Sequence, residues 1–157
     1  MQATRCALVF TMLCGATLVS ATAAELQPQT ENGVTWVCGG VGVDQAAAIQ
    51  QAAPDYRLML TFTADDGSYL ADVDVTIDGN GDQPVLHTSC AGPIMLVNLP
   101  AAGSYQLRAS VNGHTQTRRL QLRSASAHQR LVLRWPAAQA GLEAAPARVR
   151  SQAGEQS

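Results

Sequence analysis

A two-residue alternation limits this chain more than any other feature. Tyr56, Leu58, Leu60 and Phe62 fall on one side of a pleated segment, and Arg57, Thr61 and Thr63 on the other. Val73, Val75 and Ile77 alternate with Asp72, Asp74, Thr76 and Asp78. Tyr105, Leu107, Ala109 and Val111 alternate with Ser104, Gln106, Arg108 and Ser110. Successive side chains of a strand point to opposite faces, so this period marks strands with one face in a core. A half-apolar strand must bury that face against a second layer.

Turn signals separate these segments. Asp65-Asp66-Gly67, the Gly79–Asp82 stretch and Leu99–Gly103 each break the alternation. Asn112-Gly113 tolerates the positive φ of a type I′ turn and predicts a tight hairpin, with Leu120 and Leu122 returning on the apolar face. Val34–Cys38, Val85–Ser89, Ile94–Val97 and Leu131–Trp135 supply further strand candidates. Gly39, Gly40 and Gly42 form a tight connection where another backbone approaches, with an anion nest at the helix start as the alternative. Asp44 is the expected N-cap of a short helix, Gln45 to Ala53, which Pro54 ends. Roughly seven short strands and one helix predict a mainly β, immunoglobulin-like antiparallel sandwich over residues 34–136. Residues 25–33 are expected to be a flexible polar segment, and 137–157 a disordered tail with too few large apolar groups to pack.

The first 24 residues read differently. Arg5 precedes an apolar run from Cys6 to Val19, and small residues follow to Ala24. That pattern is a secretory signal peptide, with cleavage after Ala23 or Ala24. The apolar run is short for a bilayer span, so no integral span is expected after cleavage. The protein is therefore expected in the periplasm or outside the cell. Leu13, next to Cys14, argues against lipidation.

Charge is segregated along the chain. Residues 25–90 carry their acids against Arg57 alone, whereas 91–136 carry six Arg and no acid. The halves either pair within the fold or present opposed faces to partners. The formal net charge of −2 gives no general attraction for nucleic acid. Downstream of the leader stand Cys38 and Cys90, a candidate disulfide in an oxidising compartment; two buried free thiols are the alternative.

Gly67–Val75, Ala91-Gly92-Pro93 and Leu99–Gly113, with its Leu-Pro-x-x-Gly-x-Tyr turn into a strand and its glycine-ended hairpin, resemble carboxypeptidase regulatory-like domains. These are transthyretin-like sandwiches. Cys38–Asp44 and Tyr56–Phe62 look like a subgroup of small exported proteobacterial proteins. The resemblance spans about residues 34–135. It implies a non-catalytic domain that acts in folding, docking, or carbohydrate or protein binding, and it transfers no catalytic residue. Cys38 and Cys90 stand where that subgroup has small or polar residues, and the joint departure favours a bridge particular to this chain.

Candidate chemistry is sparse. Asp78, Asn80 and Asp82 place oxygen ligands at alternate positions, as calcium loops do, but Gln83 and Ser89 replace the glycine and glutamate of an EF-hand. A hairpin turn explains the same residues. Asp65 and Asp66 add ligands only if the two turns share one end of the sandwich. Arg108, Arg119, Arg123 and Arg134 are assigned to solvent-facing positions, with Asp72, Asp74 and Asp78 outward on their own strand. Cross-strand pairing accounts for them; an anion-recognising partner surface is the alternative. The chain has no nucleophile elbow, zinc-protease helix or phosphate loop. The leading expectation is a non-catalytic exported binding or accessory module that engages a protein or envelope component and needs no cofactor. A calcium- or small-ligand-binding protein using the acidic turns is second, and a hydrolase of unrecognised type third.

Overall fold

The computed structural model describes residues 25–79, 84–124 and 126–142. The signal-peptide reading, Asn80, Asp82 and the tail from residue 143 onward lie outside the described residues. The nine strands among the described residues are β1 Gln29–Glu31, β2 Val34–Gly39, β3 Leu58–Ala64, β4 Val73–Asp78, β5 Pro84–Cys90, β6 Ile94–Asn98, β7 Gly103–Val111, β8 His114–Leu122 and β9 Gln129–Trp135. Helix α1, Val43–Ala52, follows β2, and a 3-10 turn at Ala53–Asp55 completes it. The strands form a five-stranded sheet, β1-β2-β6-β3-β9, stacked on a four-stranded sheet, β5-β4-β7-β8. The chain is thus the mainly β sandwich with one short helix that the alternation requires.

The apolar sets named above meet between the layers. Leu58, Leu60, Phe62, Val75, Ile77, Leu107, Leu122 and Leu133 are each fully buried in one cluster. Phe62 and Trp135 pack as tilted rings with centroids 6.5 Å apart, a favoured arrangement for aromatic quadrupoles. Tyr105, at the start of β7, donates its hydroxyl to the Ala101 carbonyl at 3.0 Å and pins the turn before it.

Several details depart from the sequence reading. Residues 25–33 contain β1, which pairs antiparallel with β2 through a turn at Asn32 (φ 49°) and Gly33 (φ 77°). The expected hairpin at Asn112 (φ 48°) and Gly113 (φ 81°) has the same form. The sandwich is not wholly antiparallel, because β9 runs parallel to β3 from Leu58↔Gln129 to Ala64↔Trp135. The α1 N-cap is Gly42, with no side-chain capping bond, and Asp44 sits in the first turn. There it still faces the positive end of the helix dipole. Gln45 caps instead from inside, its Oε1 accepting from the Val41 N–H at 2.9 Å. Residues 137–142 are turned and hydrogen-bonded, with Ala140 N–H donating to Pro136 O and Leu142 N–H to Ala137 O. Ala140 is buried and Ala137 packs on the main cluster, so the expectation of disorder fails for residues 137–142.

Two devices close the sides of the sandwich. Cys38 of β2 and Cys90 of β5 form a disulfide between the sheets, with Cα atoms 5.6 Å apart. Beside it Gly92 lies so close to Gly39 that an added Cβ would stand 2.3 Å from the Gly39 carbonyl oxygen. The residue that must lack a Cβ for this approach is Gly92; at Gly39 and Gly40 an added Cβ would meet only the side chains of Gln45, and of Ile94 and Pro93. On the opposite side the Trp135 indole donates to the His114 carbonyl at 2.8 Å, and Gln116 donates to the Arg134 carbonyl.

Candidate functional site: the bare face of the four-stranded sheet

The outer faces of the two sheets have different fates. Over the five-stranded sheet, Ile49 and Ala53 cover Val37, Met59, Ile94 and Leu96 in a second buried cluster. Alternation in β3 predicted only one buried face. The helix buries the other, which is why Met59 is also sequestered. Over the four-stranded sheet no described element lies outside the strands, and outward positions such as Asp74, His87, Thr117 and Gln121 are exposed.

Strand register builds the polar pattern on that face. In one row Asp74 stands between Ser89 and Ser110, with Thr115 beyond; in the next, Thr76 stands between His87 and Arg108, with Thr117 beyond. Rows on one face are two residues apart, roughly 7 Å along the strands. Asp74, Thr76, His87, Arg108, Ser110 and Thr115 line a shallow depression of about 260 Å³. The Thr76 hydroxyl lies 2.9 Å from His87 Nδ1 and orients that ring.

Arg108 is fixed from one side. Its Nη2 lies 3.1 Å from Asp78 Oδ1 and 3.0 Å from Oδ2. Asp78 pairs in register with Gln106, so the contact is diagonal across the β4–β7 ladder. The sequence reading put Asp78 outward in solvent. Instead it is buried, with 4% exposure. The register of β4 on β5 shifts between Ile77 and Asp78, while its register on β7 continues unbroken, so Asp78 keeps to the outer face and is buried there beside Arg108. A carboxylate in that position needs a charged partner, and Arg108 supplies it while remaining 46% exposed at its side chain.

The other predicted residues separate. Arg119 pairs in register with Gln106 and shares the outer face with Arg108. Arg123 lies just past the end of β8. Arg134 belongs to β9, in the other sheet. The four arginines therefore do not make one surface. Asp65 and Asp66 serve their own turn: Asp65 accepts from the Ala137 N–H and Asp66 from the Ser68 N–H, both at 2.9 Å. The bonds from Ser68 hold the Asp66 carboxyl below the usual aspartate range. Of the calcium triad, Asp78 is committed to Arg108. Among the described residues no group of three or more His, Cys, Asp or Glu could hold a metal ion.

A second depression, of about 190 Å³, lies between the 3-10 turn and the start of β9, lined in part by Tyr56, Met59 and His128. His128 Nδ1 is 2.9 Å from the Tyr56 carbonyl oxygen. Burial, and then the negative charge of Asp55, push the Tyr56 phenol upward, so it stays a protonated donor. Gln129 Oε1 is buried there without a partner.

The sequence reading missed His87, Ser110 and Thr115 as a group. Alternation alone gives their face, but their adjacency depends on the β5-β4-β7-β8 strand order. Among the described residues no helix is long and apolar enough to cross a membrane. No family model matches the chain, and no curated protein matches it.

Proposed function

We propose that this protein is a non-catalytic binding or accessory module of the cell envelope, exported by its N-terminal leader. It engages a protein or envelope component through the outer face of the four-stranded sheet. The observation that carries the reading is the contrast between the faces: one sheet is roofed by its own helix, and the other, among the described residues, is uncovered and set with Arg108, His87, Asp74 and a group of hydroxyls. Salt-bridged and hydrogen-bonded donors are already oriented, and such preorganisation lowers the ordering cost of binding. The Cys38–Cys90 bridge supports an oxidising compartment. The sandwich core and the resemblance of Gly67–Val75 and Leu99–Gly113 to carboxypeptidase regulatory-like domains support a binding role over chemistry.

Photo-crosslinking in intact envelopes tests the face. A photoreactive side chain at Thr117, on the bare sheet, should give a discrete adduct; one at Gln51, exposed on α1, should not. Equal adducts from both positions, or none from Thr117, would refute the assignment.

A further inference from the structure

We infer that the depression on the bare sheet face is a binding site for a small polyhydroxylated carboxylate, the chemistry of a sugar acid. The inference rests on the proposed binding face and names what that face recognises. All six lining residues are polar: Asp74, Thr76, His87, Arg108, Ser110 and Thr115. Their polar groups are set among the carbon atoms of the same side chains, so this lining suits a ligand that carries hydroxyls on a C–H framework. The volume, about 260 Å³, suits a single small molecule or one residue of a glycan.

The lining has two ends. In the Thr76 row, Arg108 presents a guanidinium whose Nη2 is held by Asp78. Its Nε and Nη1 hydrogens have no protein acceptor among the described residues. A guanidinium has five N–H donors in a rigid fork that matches a carboxylate. His87 sits in the same row across Thr76. The Thr76 hydroxyl and His87 Nδ1 share a hydrogen bond, and in the tautomer in which the hydroxyl donates, the ring Nε2–H is a second donor. In the adjacent row stand Asp74, Ser110 and Thr115. The Asp74 carboxylate repels a second anion and accepts from a hydroxyl, and the two hydroxyl side chains both donate and accept. A ligand that satisfies both ends has one carboxylate and, roughly 7 Å away at the row spacing, hydroxyl groups. A neutral sugar leaves Arg108 unmatched. A phosphate or dicarboxylate meets Asp74 with like charge.

The test is an amide chemical-shift titration of the intact, bridged protein with D-galacturonate, with D-galactose as the neutral counterpart. Galacturonate should shift the amides of Thr76, His87, Arg108, Ser110 and Thr115 saturably; galactose should not. Arg108→Gln should weaken galacturonate by roughly tenfold or more, the scale of a lost charge-assisted hydrogen bond. That variant also unpairs Asp78, so His87→Ala serves as the second: His87 is exposed and bonded only to Thr76, and its loss should weaken binding several-fold with the fold intact. No saturable shift, equal shifts with galactose, or full affinity in His87→Ala would each overturn the inference. A silent titration with a persisting Thr117 adduct would remove the sugar acid and leave the binding face standing; silence in both experiments would remove both.

Discussion

The two sheets solve opposite problems on their outer faces. The five-stranded sheet carries apolar side chains on both sides at β3 and β6, and it has to be roofed. Helix α1 does this with very little, since Ile49 is its only fully buried residue. The four-stranded sheet alternates cleanly, so its outer face needs no roof and carries charges and hydroxyls instead. The lesson is that stability and recognition lie on different sides of the same sandwich. Substitutions under the roof should change folding, and substitutions on the bare face should change binding.

The largest effect is expected under the roof. Ile49→Ala removes the residue that seals Val37, Met59, Ile94 and Leu96, and a buried Ile→Ala change costs roughly 2–5 kcal/mol. Urea denaturation should show this loss while the sheet-face ligand response is unchanged; a change of similar size on both sides would erase the contrast. Next is Arg108→Gln, the one bare-face substitution expected to reach the core. Breaking a fully buried ion pair costs more, but Arg108 is half exposed, so about 1–2 kcal/mol is expected. The double variant Arg108→Gln with Asp78→Asn should recover part of that loss, because no unpaired charge is then left buried; failure to recover would mean the pair is not what Arg108 contributes. Arg119→Gln should lie within about 0.5 kcal/mol of the parent in the same measurement. A larger loss would show that the outer face supports the fold after all.

The smallest effect belongs to neither face. Asp66, in the turn that leads from β3 towards β4, is held below its ordinary range by the Ser68 bonds. Its folded-state affinity for protons is therefore lower than in the unfolded chain. It stabilises at neutral pH, and that contribution is lost as pH falls through the depressed value. Asp66→Asn should lower the melting temperature slightly at pH 7 and not at acid pH. An equal change at both would place the effect elsewhere.

Much of this was legible in the residues themselves. The inward sets of β4 and β7, the Asn112-Gly113 turn, the helix stop at Pro54 and the Cys38–Cys90 pair each rest on local or pairwise chemistry. What was not legible depended on neighbours in space. Asn32-Gly33 carries the same turn signal as Asn112-Gly113, but its flanking strand Gln29–Glu31 is wholly polar and has no alternation to reveal it. Alternation in Tyr56–Thr63 marked a strand with one face in a core, and only the placement of α1 shows that Met59 on the other face is buried too. Asp78 followed the outward alternation of β4 in sequence, and it is buried on that face by its pairing with Arg108. The site suffers most from this limit, because Asp74, His87, Ser110 and Thr115 lie on four strands and meet only through strand order.

The parallel partnership of β3 and β9 carries a consequence for how the chain is made. β3 lies between β6 and β9, and its second row of amide and carbonyl groups is met by residues more than seventy positions later. Until Gln129–Trp135 has emerged, β3 presents an unsatisfied edge flanked by apolar side chains, the sort of edge that recruits other chains. The final strand thus acts as a completion check: a product cut short before residue 129 is expected to aggregate, even with its cysteines joined and eight strands already present.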